Sequence, residues 1–222
     1  NAKKNGLTST VSFPVGNIAP EGSVIKSTAI DPSVVDPDGI YRNLGYARVF
    51  NTEKEAISSI KSQEKDLKLK AGDIMVLKCG GPMGTGMEEV YQITAALKHL
   101  SYGKEIALIT DARFSGVSTG ACIGHVGPEA LAGGPIGRIE EGDLIEIIID
   151  RERLEGSINL VGDHSGNHGK TWGTKTLSER KDSESLSPHP KIPDDSRLWA
   201  SLQDVSGGTW GGCVFDVDQI IK

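Results

Sequence analysis

Residues 110–129, TDARFSGVSTGACIGHVGPE, hold the side chains best able to do chemistry, because the apolar run EIALIT (105–110) breaks there into small and polar residues. A serine between Phe114 and Gly116, at the carboxyl end of a buried strand, stands on a tight turn with its hydroxyl exposed and backbone amides beside it. Ser115 can act there as a base, or it can merely cap its own turn; the residues alone leave both open. Ionising a serine hydroxyl near neutral pH requires metal charge and directed amides close by. Thr110 and Asp111 are placed to orient the turn, with Thr110 also a substrate-binding candidate, Arg113 to pair with Asp111 or meet a substrate carboxylate, and Ser118 to hydrogen-bond substrate hydroxyls. His125 is either a donor behind the turn or a structural histidine beside a helix start.

Glu89, in GTGMEEV, opens a helix after a Gly-rich loop, where the helix dipole alone favours a carboxylate, and Glu88 stands next to it. The loop 80–86 lacks the Lys-Ser/Thr ending of a phosphate cradle. His164 and His168, in DHSGNHG, have a spacing compatible with a metal, yet Gly and Asn between them and no cysteine nearby argue against zinc. Cys79, Cys122 and Cys213 are odd in number, far apart and form no C-x-x-C pair, so they read as small buried side chains in a reducing compartment.

The elements that must position these groups are short. VSFPVG (11–16) and SVIKSTA (23–29) read as strands flanking a Pro-Glu-Gly turn, and DPSVVDPDG (31–39) as a loop. ARVF (47–50) is a strand, after which Thr52 caps a helix through Ile60 with Glu55 completing a capping box. GDIMVLK (72–78) is a buried strand, and MEEVYQITAALKHL (87–100) is a helix with Val90, Ile93, Ala96, Leu97 and Leu100 on one face. Pro128-Glu129 opens a short helix, and GRIEEGDLIEIIID (137–150) is a hairpin. Residues 174–196 suggest an exposed strap, followed by a helix capped by Asp195 or Ser196 and a packed aromatic tail. Many short strands with few helices favour a closed or strongly curved sheet with helices outside over a doubly wound parallel one.

With 222 residues, 37% of them hydrophobic and 24% charged, the chain can form one sizeable core. A net charge of −6, without a basic stripe, argues against nucleic acid, and KSQEKDLKLK (61–70) reads as a solvated surface. No apolar run reaches the roughly 20 residues needed to cross a bilayer and no signal-peptide pattern opens the chain, which points to the cytoplasm and to no membrane partner.

TDARFSG with GHVGPEA, together with GNIAPEGSVIK (16–26), ARVF and EAISSI (47–60) and GDIMVLKCGGPMGTGMEEV (72–90), resembles the dihydroxy-acid and sugar-acid dehydratase family over roughly residues 14–150. The resemblance implies an α/β fold, a swivelling β/β/α barrel-like domain of the aconitase C-terminal kind over residues 1–155, acting as a lid. An extension over 156–222 would pack on the enzyme, and the N-terminal cluster-binding domain would be absent from this chain, which starts at Asn1 and is expected to be inactive alone.

The implied activity is that of a hydro-lyase converting a 2,3-dihydroxy acid to a 2-keto-3-deoxy acid. Ser115 matches the family's alkoxide base and Glu89 its magnesium-binding glutamate; the iron-sulfur cluster would have no ligands here. The implied partners are a sugar-acid substrate, the N-terminal domain and further copies in a homo-oligomer. The loop departs from the commonest form by being one residue shorter, with Met83 where lysine is frequent. In the tail, HPKIPDDSRLW and GGTWGGCV resemble the xylonate dehydratase branch, which points to D-xylonate. The alternatives are branched-chain dihydroxy-acid dehydratase and a non-catalytic binding module of the same fold.

Overall fold

The structure is a computed structural model that describes residues 10–64, 67–211 and 214–222. In chain order its elements begin with β1 (Val11–Ser12), β2 (Gly22–Lys26), β3 (Ile40–Phe50), α1 (Glu53–Lys61), β4 (Ile74–Leu77) and α2 (Pro82–Thr85). They continue with β5 (Glu89–Val90), α3 (Gln92–Leu97), β6 (Ala107–Thr110), β7 (Arg113–Phe114), β8 (Cys122–Gly127) and β9 (Leu144–Asp150). β10 (Glu155–Asp163), β11 (Gly166–Asn167), α4 (Lys170–Glu179), α5 (Asp194–Val205) and α6 (Val217–Ile220) complete the chain.

Nine strands form one mixed sheet in the order β1-β2-β8-β6-β4-β3-β9-β10-β11. Its centre, β3-β4-β6-β8, is parallel, and its flanks are antiparallel. β3 joins the two regimes: residues 40–46 pair with β9 and residues 47–50 with β4. At this hand-off a Cβ on Gly45 would fall 1.9 Å from the Gly72 carbonyl oxygen, so only glycine fits.

The sheet curls until its ends meet. Val15 bridges Ser157 of β10 in parallel, and the side chain of Asn17 continues the seam by donating to the Leu160 carbonyl (2.9 Å) and accepting from the Leu160 amide (2.7 Å). A side-chain amide thus supplies both hydrogen bonds that a neighbouring strand would make.

Alternation along the parallel strands builds two cores. Ile74, Val76, Ala107, Ile109 and Ile123 point into the curl with Tyr41, Ile145, Ile147 and Leu160, and α4 adds Leu177. Met75, Leu77, Leu108 and Cys122 point outward beneath α1 and α3, where Ala56, Ile60, Ile93 and Leu97 cover them. Such an Ile or Leu contributes about 1.5–3 kcal/mol when removed from water.

Several expectations change. The strand-rich, helix-covered reading holds, but the sheet has a parallel centre, and it runs on through β10 and β11, past residue 155. The helix expected over 87–100 shrinks to α3, because Gly86 and Met87 take left-handed conformations and Glu89–Val90 become a strand paired with β7. The hairpin expected over 137–150 is a 3-10 turn (Pro135–Arg138), a loop and β9; the true hairpin is β9–β10. Its expected first arm is consumed by local bonds, with the Asp143 carboxylate accepting from the Glu140 amide and that of Glu141 from the Val49 amide. Glu129 precedes a single 3-10 turn (Ala130–Ala132), not an α-helix, and its side chain does not cap it. α5 begins at Asp194 behind Pro193, with no side-chain cap from Asp195 or Ser196; Asp194 and Asp195 face its dipole from within the first turn. The capping box of Thr52 and Glu55 is present on α1.

Candidate active site at the carboxyl ends of the parallel strands

β4, β6 and β8 all end on one side of the sheet, and the loops that leave them carry the candidate residues, as ligand-binding loops do in open parallel sheets. After β4 come Cys79, the glycines and α2; after β6 come Asp111 and the serine turn; after β8 comes Glu129.

Ser115 is buried to 7% exposure and sits on a turn closed by the Ser118 amide donating to its carbonyl (3.0 Å). Its Oγ accepts from the Val117 amide at 3.3 Å, so the turn-capping role is realised and a directed amide faces the oxygen. Lys26 Nζ donates to the Gly116 carbonyl at 3.1 Å, which brings a cation to the turn. Ser118 is buried and its Oγ has no hydrogen-bond partner among the described residues.

Glu89 and Ser115 come from separate motifs, yet the structure sets them on one ribbon. β5 and β7 pair in parallel, with Glu89 opposite Arg113 and Val90 opposite Phe114, so Ser115 follows directly on the strand beside Glu89. Val90 is buried in the outer core with Phe114 packed against it, while Glu89 and Arg113 are exposed.

The remaining candidates serve the frame. Thr110, expected to touch substrate, is fully buried, its Oγ1 accepting from the Ala112 amide (3.1 Å). Asp111 holds neither Arg113 nor the serine turn. Its buried carboxylate accepts from the Gly80 amide (2.8 Å) and the Ala130 amide (2.9 Å), and burial raises its pKa. His125 sits at a bulge of β8 with φ 53°, edge-on to Phe114 at 5.9 Å. Burial, then Arg113, lowers its pKa, which keeps the ring neutral at pH 7. His168 Nε2 contacts both Ser165 Oγ (3.0 Å) and Asp163 Oδ1 (3.3 Å), a turn-stabilising cluster at the β10–β11 loop.

Two features escaped the sequence reading. Lys26 gave no signal beyond lying in a motif. Glu129 is 8% exposed, accepts from the Met83 amide through both oxygens (2.9 and 3.1 Å), and is pushed up to about 8 by burial, with Asp111 adding to the shift. A buried Glu two residues beyond a bulged strand has no local sequence signature.

Cys79 and Cys122 are buried and burial holds their thiols at about 11 and about 12, so neither fits an iron-sulfur cluster, which takes thiolates. Cys213 lies outside the described residues. Among the described residues no three His, Cys, Asp or Glu side chains converge as a metal site. Glu89, exposed and hard, suits one position on magnesium, and Glu88 adjoins it; both line a cavity of about 340 Å³ roofed by Ser187–Pro190.

Fold and site together define an α/β barrel-like domain that presents a serine turn and one carboxylate ribbon at the ends of its parallel strands. Residues 4–190 match the dihydroxy-acid/6-phosphogluconate dehydratase C-terminal family, and the chain belongs to it. Its similarity extends to D-xylonate dehydratase YjhG of Escherichia coli K12, 62% identical over 221 residues, covering 99% of this chain and 33% of that protein. D-xylonate dehydratase YagF of the same organism is 59% identical over 221 residues, 100% of this chain and 33% of that protein. Dihydroxy-acid dehydratase of Moorella thermoacetica is 48% identical over 141 residues, 63% of this chain and 24% of that protein. The chain thus spans about a third of the length of the two xylonate enzymes. No helix among the described residues is long and apolar enough to cross a membrane.

Proposed function

We propose that this chain is the C-terminal domain of a cytoplasmic, homo-oligomeric hydro-lyase that converts a sugar acid, D-xylonate or a close aldonate, to its 2-keto-3-deoxy acid. One observation carries the reading: Glu89 and Ser115 meet on one ribbon, in a chain 62% identical to a D-xylonate dehydratase across the tail as well as the barrel. The domain acts as a swivelling lid of the aconitase C-terminal kind, and it is inactive without the part of the protein that supplies the cluster ligands.

Ser115 Oγ takes the proton from C2 of the substrate, the C2–H electrons form the C2–C3 double bond, and hydroxide leaves C3, taking up a proton to become water. The enol then gains a proton at C3 and releases the one on its C2 hydroxyl, giving the 2-keto acid. When bound, the iron-sulfur cluster and Mg²⁺ supply Lewis acidity at the leaving hydroxyl and the carboxylate end. The Val117 amide, 3.3 Å from Oγ, favours the anionic oxygen, and Lys26 adds positive charge at the same turn. Glu89 offers one magnesium ligand, Ser118, whose buried Oγ lacks a partner among the described residues, is the candidate for a substrate hydroxyl that reaches into the turn, and Arg113 stands beside Glu89 to meet the carboxylate.

The test is 2-keto acid release from D-xylonate by the full-length protein, prepared without oxygen and with magnesium, in wild type and Ser115→Ala. A loss of at least about a hundredfold with the cluster absorbance intact supports the role of Ser115. Equal rates remove it, and turnover of a branched-chain dihydroxy acid in place of D-xylonate would replace the substrate assignment.

A further inference from the structure

We propose that Glu129 is a positioning residue for the dehydration: its buried carboxylate fastens the loop Gly80–Met87 from beneath, and so fixes where Glu89 stands beside the Ser115 turn. The inference rests on the roles just given to Glu89 and Ser115 and adds a residue that they do not include.

Glu129 reaches the loop from the end of β8. Both carboxylate oxygens accept from the Met83 amide, and a Cβ on Gly81 would lie 2.3 Å from Oε2, so loop and carboxylate are packed with no slack. Asp111 ties the same two segments together by accepting from Gly80 at the loop's start and from Ala130 next to Glu129. From the other side the tail closes down: the His189 amide donates to the Gly84 carbonyl (2.8 Å), and a Cβ on Gly86 would meet Ser196 at 3.3 Å.

Held on both sides, the loop has one way out. Thr85 Oγ1 donates to the Gly80 carbonyl (2.9 Å) and accepts from the Glu88 amide (3.0 Å), and Gly86 and Met87, with φ of 72° and 65°, turn the chain into β5. Glu89 then enters its register with Arg113. The path from Glu129 to Glu89 therefore runs through the hydrogen bond to Met83, along the chain to Thr85, and through the hydrogen bond from the Glu88 amide to Thr85. Even when protonated, the carboxyl group can accept through both oxygens, whereas a glutamine at 129 keeps the volume but puts an NH₂, which accepts nothing, in place of one of them, and this unfastens the loop without emptying the site.

The experiment uses the full-length protein as wild type, Glu129→Gln and Glu129→Ala. Amide hydrogen exchange over residues 81–90 and the magnesium concentration for half-maximal 2-keto acid release from D-xylonate are measured together. Expected in Glu129→Gln, with the protein still folded, is faster exchange confined to 81–90 and a magnesium requirement raised about 10- to 100-fold, as for other groups that orient a metal ligand. Glu129→Ala shows the same pattern more strongly. Unchanged exchange and magnesium requirement in Glu129→Gln overturn the proposal, and so does a lower melting temperature with the magnesium requirement unchanged. If the wild type fails to dehydrate D-xylonate, the functional reading falls while exchange over 81–90 still decides the positioning role.

Discussion

Glu129 keeps its proton in the folded protein up to about pH 8, whereas in an unfolded chain it would lose it near the ordinary carboxylate value. Between those two values the folded form binds the extra proton, so this group's contribution to stability is full below the lower one and is lost as pH rises towards 8. Wild type should therefore lose stability relative to Glu129→Gln by about 1.4 kcal/mol per pH unit over that window, read from urea midpoints at several pH values. Parallel curves would mean that Glu129 is ionised in the folded state. At the same scale, Cys79 and Cys122, buried with raised thiol pKa values, should react with a thiol reagent at pH 8 only after unfolding. Peptide mapping of the labelled residues checks this. The turn at Ser115 was legible in sequence because it sits in a motif with its own local form, whereas the strand that carries Glu89 was not. Glu129 was not, since its burial and its bond to Met83 depend on segments 46 residues apart.

At the scale of elements, local chemistry and tertiary pairing compete, and α1 and β5 show each outcome. Thr52 and Glu55 satisfy orphan amides at the start of α1 within four residues, so the helix could be read from sequence. Thr52→Ala should cost about 1 kcal/mol, seen as roughly fivefold faster amide exchange in the first turn of α1. Residues 87–100 carried helical periodicity, and Val90, Ile93 and Leu97 do face one core. The first of them arrives there from a strand, because pairing with Arg113–Phe114 satisfies the backbone of 89–90 as well as a helix would.

At the scale of the whole molecule, closure of the sheet and docking of the tail are the long-range events. Asn17→Ala removes both side-chain bonds to Leu160 and leaves a backbone pair without partners at the seam, at a cost of about 1–3 kcal/mol. Faster exchange of the Leu160 amide and a lower urea midpoint would show it. Trp210 anchors the tail by donating from Nε1 to the His125 carbonyl (3.1 Å), its ring filling the space over Gly22 and Gly127. Trp210→Ala should free the segment beyond α5 for proteolysis while leaving the barrel intact; unchanged cleavage would show that α5 and α6 hold the tail without it.

Sequence by itself determined the apolar strands, the capping box, the serine turn after a buried strand and the motifs that place the chain in its family, because each depends on neighbours a few residues away. Only the tertiary structure decided that the sheet closes on Asn17, that Glu89 enters a strand beside Arg113, and that Asp111 and Glu129 hold the glycine loop. Those outcomes turn on backbone amides finding partners across dozens of residues, and no local pattern of side chains records which partner a folded chain will bring within reach.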